Sequence, residues 1–199
     1  IYEDAMAPQG TALVAIGGYG RRELCPGSDI DVLLVHNSEL EVSELAEKIW
    51  YPLWDAGLKL GHQVGTIDQI AEVAYENLDM ATSLLAARLV AGNGDLAEEL
   101  SLKARNQWMN KSSHYLSELN KSVMTRHQKF GEVAFLLEPD LKEARGGLRD
   151  AHVLKWVEES EKVLREQENK ILEEAFETLL EVRVELHRET GRRSDRLLL

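Results

Sequence analysis

A single cysteine, Cys25, stands in 199 residues, so no internal disulfide is available and a reducing compartment, the cytoplasm, is expected. Positive charge is scarce as well: 23 Lys and Arg face 35 Asp and Glu, for a net charge of -12. A chain this acidic lacks the cationic footprint that displaces counterions from a phosphate backbone, so no nucleic-acid partner is expected. No apolar run approaches the roughly 18 residues that cross a bilayer, and no charged, then apolar, then small-residue leader opens the chain. A membrane partner is therefore not expected either. A chain that opens on Ile1 and closes on three leucines reads as a piece of a longer protein. What it does have is 44% hydrophobic residues, enough for a core.

The first half alternates between strand and helix patterns. Thr11 to Ile16 and Ile30 to Val35 are short apolar runs, bounded by Gly-Gly and by the turn residues "CPGS", and both predict buried strands. Ser43 to Trp54 opens on a capping residue and places Leu45, Ile49, Trp50, Leu53 and Trp54 at helical spacing, with Pro52 in its last turn. Leu58 to Gly65 alternates as a half-buried third strand would, and "TIDQIAEVAYEN" begins another helix. Two helical stretches follow, Asp79 to Val90 and Asp95 to Gln128, split by "AGNGD". Pro139 and Gly146-Gly147 interrupt the segment from Leu136 to Asp150, and Ala151 to Glu189 reads as helix. The expected fold is α+β: a small sheet with helices in residues 1–93, then an all-helical domain in residues 94–199.

Between the first two strands lies "GGYGRRELCPGSDID". Asp29 and Asp31 are two apart, so on a strand both side chains leave one face, roughly 7 Å apart, while Ile30 and Val32 leave the other. Like charges that close raise each other's pKa unless a cation lies between them. Magnesium suits the position, because it takes one or two carboxylates together with substrate phosphate oxygens. Gly17, Gly18 and Gly20 come directly after a strand, where the missing Cβ lets backbone N–H groups approach phosphate, and Arg21 and Arg22 add positive charge. Each feature also has a bland account: a solvated strand end, a tight turn, surface arginines.

Three familiar glycine motifs fail on geometry. A Walker loop needs Gly-Lys-Ser/Thr, which is absent. A dinucleotide fingerprint is blocked by Glu23 at the third small position and by too few residues for a crossover helix. An EF-hand loop would need a ligand where Leu33 stands. The chemistry that needs both features is nucleotidyl transfer: a hydroxyl attacks the α-phosphate of a nucleoside triphosphate, and carboxylate-bound metal clamps the oxygens.

The string "GGYGRRELCPGSDIDVLLV" resembles the signature of the DNA polymerase beta nucleotidyltransferase superfamily, and most closely that of the PII uridylyltransferase/uridylyl-removing family. "LEPDLKEARGGLRDAHVLKW", Leu137 to Trp156, is similar to the segment that marks the family's helical domain, and "GRRSDRLLL" to its closing motif. The resemblance implies a polymerase-beta-like fold and transfer of UMP, or AMP as in actinobacterial PII adenylyltransferases, from UTP or ATP to a tyrosine of the nitrogen signal protein PII. It implies Gly17 and Gly18 at the triphosphate, Ser28 at its terminal phosphates, Arg21 as a further phosphate contact, and Asp29 and Asp31 as catalytic Mg2+ ligands. The third carboxylate of many superfamily members has no counterpart in "KLGHQVGT", which leaves the general base open; His62 is one candidate and a packed histidine the alternative. Lys142, Glu143, Arg149 and Asp150 form either the far wall of the nucleotide cleft or a structural ion network.

Two other readings stay open: the same core acting on an antibiotic, an RNA end or a toxin target, and a degenerate module that binds nucleotide or PII without catalysis. The six histidines include no His-Asp dipeptide, the mark of the phosphohydrolase domain that removes the modification in the family. This chain is therefore expected to release no UMP or AMP from modified PII; release measured with this chain alone would refute that.

Overall fold

The computed structural model describes residues 1–198. Two compact units divide the chain: residues 1–24 with 28–110, and residues 25–27 with 111–199.

The first unit is built around β1 (Thr11–Ala15), every residue of which is buried. Its neighbours are β2 (Ile30–His36) and β4 (Arg88–Gly92), both antiparallel to it, and β2 pairs in parallel with β3 (Leu60–Gly65). The sheet order is β3-β2-β1-β4. On one face, α2 (Ser43–Asp55) buries Leu45, Ala46, Ile49 and Trp50 against Leu13, Val32 and Leu34. Pro52 sits inside this helix, where its missing N–H removes a bond from the last turn only. Beyond β3, α3 (Ile67–Glu76) starts with a capping box, Thr66 accepting from the Gln69 N–H and Gln69 from that of Thr66.

The stretch from Asp79 to Val90 is not one helix. Asn77 caps a short α4 (Leu78–Leu84) by accepting the Met80 N–H at 2.9 Å, and the chain then turns into β4. The physical reason is the edge of β1: its backbone groups need partners, and β4 supplies them in antiparallel register. That demand overrides the helical preference of "LLAARLV". Nor do the compact units part at residues 93/94. Helix α5 (Gly94–Asn110) packs on β1, β4 and α3, burying Leu96, Leu100, Ala104 and Trp108 at helical spacing. Gln107 Nε2 donates to Ala71 O at 2.9 Å and Lys103 Nζ reaches Asp68 Oδ1 at 2.8 Å, tying α5 to α3.

The second unit contains α6 (Ser112–Phe130), α7 (Leu148–Glu158) and α8 (Glu166–Thr190). The expected helix from Ala151 to Glu189 is interrupted because the Glu158 carboxylate accepts the N–H groups of Val163 and Leu164, at 2.6 and 2.7 Å, and so turns the chain. A capping box of Arg165 with Glu168 restarts it. Leu148 and Ala151 pack against Phe176, Leu172, Leu179 and Leu180. Among the described residues no helix is long and apolar enough to cross a membrane.

Trp108 is 1% exposed, so Trp108→Ala is expected to cost about 3–5 kcal/mol of stability. Denaturant titration followed by β-sheet circular dichroism should show that loss, because α5 folds with the sheet.

Candidate active site

The site follows from one register. In the parallel pair, Asp31 stands opposite Gly61 and Val32 opposite His62, and paired residues of parallel strands share a face. Asp31, Leu33, Gly61 and Gln63 therefore lie on the face away from α2, and Val32, Leu34 and His62 on the α2 face. The aromatic contacts agree: the His62 ring lies 5.3 Å from Trp50 and 5.3 Å from Trp54. The His62 ring thus packs on the aromatic residues of α2, although the residue is exposed and also borders the cavity beside Asp31.

Asp31 is seated between two glycines. A Cβ on Gly17, whose φ is +54°, would lie 3.3 Å from Asp31 Oδ2 and 3.4 Å from Ser83 Oγ, and a Cβ on Gly61 would collide with Asp31 Oδ1. The carboxylate fills the space that two side chains would otherwise occupy. Asp31 also holds the start of the glycine turn, its carbonyl accepting the Ile16 N–H at 3.0 Å. The turn itself forms a one-turn helix, α1 (Gly17–Gly20). Arg88 fixes its end, donating from Nε to Gly20 O at 3.2 Å and from Nη2 to Tyr19 O at 2.9 Å, with its guanidinium 5.2 Å over the Tyr19 ring.

A cavity of about 320 Å³ opens beside Asp31, and Gly61, His62, Gln63, Asp79 and Ser83 are among the residues that line it. Asp79 and Ser83 are four apart on α4, hence neighbours on one helix face. Neither was legible as a site residue while residues 79–90 read as a single helix; the Asn77 cap was the available signal. Asp79 thus brings a second carboxylate to the cavity, from a helix rather than from β3.

The remaining predicted residues are spread along the same loop. Gly18 lies in α1 with its Cα hydrogens facing Arg21, whose Nη2 is 4.0 Å from the position of a Cβ. Arg21 directs its Nε to Glu23 Oε2 at 2.6 Å, an ion pair rather than a cation aimed at the cavity. Ser28 and Asp29 come just before β2, both half-buried. Magnesium suits the Asp31 carboxylate, a hard oxygen donor to which the glycine seat leaves room at the cavity, whereas Asp29 is not among the residues that line the cavity. No group of three or more His, Cys, Asp or Glu among the described residues is arranged to hold a metal, so phosphate and water oxygens would complete the coordination.

In the second unit, the four charged residues around "ARGGLRD" form an ion network. Asp150 pairs with Arg126, accepts the Gly146 N–H at 2.8 Å and lies 2.9 Å from His127 Nε2. Burial pushes its carboxyl upward, but Arg126, the Gly146 N–H and His127 outweigh it and hold the group below the ordinary carboxylate value. Arg149 Nη2 meets Glu143 Oε1 at 3.3 Å. Burial, reinforced by the charges of Arg149 and Arg183, lowers the pKa of Lys142.

Residues 114–160 match the model of a family described as GlnD PII-uridylyltransferase. Over 192 residues, 96% of the chain, the sequence is 45% identical to the bifunctional uridylyltransferase/uridylyl-removing enzyme of Streptomyces coelicolor. Over nearly its whole length the chain is similar to enzymes of this description. It is also 40% identical to the enzyme of the same description from Mycobacterium tuberculosis, over 197 residues and 95% of the chain. It spans 23% and 24% of these two relatives, about a quarter of their length. A solved structure described as a toxin-antitoxin with AMP-PNP aligns with a TM-score of 0.40 at 10% identity, over 60% of this chain and 91% of that one.

Gly61→Ala is expected to push the Asp31 carboxylate from its seat and weaken Mg2+-dependent triphosphate binding about tenfold, the loss usual when an outer support of a metal ligand is removed. Isothermal titration with Mg-UTP and Mg-ATP measures it.

Proposed function

We propose that this chain transfers UMP or AMP from UTP or ATP to a tyrosine hydroxyl of the PII signal protein. The observation that carries the reading is the Asp31 carboxylate, seated between Gly17 and Gly61 at the mouth of a cavity that also holds Asp79 and Ser83. The likeness to these relatives supports the reaction class, and their names supply uridylyl transfer.

Asp31 and Asp29 hold Mg2+, which when bound neutralises phosphate charge and makes the α-phosphorus attackable. Gly17 and Gly18 let backbone N–H groups approach the triphosphate, and Ser28 donates to its terminal phosphates. The tyrosine oxygen forms a bond to the α-phosphorus while the bond to the bridging oxygen breaks, and pyrophosphate leaves with that electron pair. The hydroxyl proton passes to the Asp79 carboxylate, the acid of the cavity other than Asp31, and from there to water.

Asp31→Asn removes charge where the metal binds and is expected to lower transfer of labelled nucleotide to PII by about 10²-fold or more, with the fold kept. Incubation with PII, Mg2+ and labelled UTP or ATP measures it. Transfer to a different acceptor but never to PII, or triphosphate binding with no transfer, would overturn the proposal.

A further inference from the structure

Just upstream of Ser28 and Asp29, the tripeptide Cys25-Pro26-Gly27 belongs to the second unit, and a buried polar cluster holds it there. Arg183 Nη1 lies 3.1 Å from Cys25 Sγ, and His187 Nδ1 donates to Pro26 O at 2.5 Å. Asp195 ties the two together, accepting from Arg183 Nε at 2.6 Å and from His187 Nε2 at 2.9 Å. Its own backbone carbonyl accepts the Leu141 N–H at 2.7 Å. Arg183 is 8% exposed and His187 2%.

Both partners of His187 are acceptors, the Pro26 carbonyl and the Asp195 carboxylate, one at each ring nitrogen. Removing a charged pair from water is costly unless every member is satisfied. A loop that needed only to connect two elements would not require such a cluster, because exposed turns are stabilised by water and their own backbone. Gly27 adds a left-handed φ of +76°, which sets the direction in which the chain leaves the cluster for Ser28. We infer that Arg183, His187 and Asp195 are positioning residues: they fix Cys25-Pro26-Gly27 and thereby set where Ser28 and Asp29 stand for the metal and the triphosphate. This rests on the nucleotidyl-transfer reading above. The latch reaches the site through the covalent chain, with one residue, Gly27, between the held Pro26 and Ser28.

The test compares His187→Phe, which fills the space and removes both bonds, with His187→Gln, which keeps one donor, and with Phe176→Ala, which loosens the α7–α8 packing away from the latch. Mg-UTP and Mg-ATP affinity is read by isothermal titration and thermal stability by circular dichroism. His187→Phe is expected to weaken Mg-triphosphate binding about tenfold, His187→Gln less, and Phe176→Ala not at all despite its lower melting temperature. Equal affinity in the parent and both His187 variants would overturn the latch while leaving nucleotidyl transfer standing. Affinity that falls in step with melting temperature in all three would make the cluster merely structural. Should His187→Phe fail to fold, His187→Gln against Phe176→Ala carries the same comparison. A parent chain that binds neither triphosphate would overturn the transfer reading, and the latch with it.

Discussion

The site depends on the register of β2 between its two neighbours. Alternation along a strand has a period of two, so a slip of one residue would turn Asp31 toward α2 and bring Val32 to the cavity. Two pairings prevent the slip. The antiparallel ladder with β1 matches Leu33 and Leu34 to buried partners, and the parallel ladder with β3 places glycine opposite the carboxylate. The hydrophobic demand of the α2 face, with Trp50, Ile49 and Leu45 beneath Val32 and Leu34, thus fixes an acid on the other face. Core packing and site chemistry are two faces of the same strand.

Backbone-directed polar contacts hold two stretches of the loop that leads to that acid, each within its own unit. Arg88, on the last strand of the sheet, grips the carbonyls at the end of the glycine turn. Arg183 and His187, on the last helix, grip the loop before Ser28. Both sets act on main-chain or thiol groups of a segment that has little apolar surface of its own. A loop rich in glycine carries a large conformational entropy in the free chain, and the arginine and histidine contacts offset it. Within the second unit, Asp150 plays the corresponding part for the Gly146-Gly147 turn.

Much of this was legible in the sequence, and the gaps have specific causes. The strands around residues 11–16, 30–35 and 58–65 and the α2 and α3 helices follow from apolar periodicity and turn residues, which are local signals, whereas Asp29, expected on the strand with Asp31, lies just before it. Strand β4 was not legible, since "LLAARLV" suits a helix and becomes a strand only because β1 has an open edge. Asp79 went unread for the same reason, its helix being six residues shorter at the far end than the pattern implied. The reach of α5 into the first unit was hidden because Trp108 and Leu100 say only that one face is buried, not against what. The packing of His62 on α2 was hidden too: its neighbours Trp50 and Trp54 are close in space but lie on a different element. The latch was least visible of all, since Cys25 and Arg183 are 158 residues apart.

The seat of Asp31 has a consequence for how this chain can vary. A side chain at position 61 and a carboxylate at position 31 compete for the same volume, since a Cβ at 61 would overlap Asp31 Oδ1. The two positions are therefore coupled across the parallel pair: a larger residue at 61 requires the Asp31 carboxylate to shift from its seat. A residue larger than glycine at 61 would therefore mark a chain whose carboxylate at 31 is seated differently, even where the "DID" letters survive, and an engineered widening of the cavity must begin elsewhere.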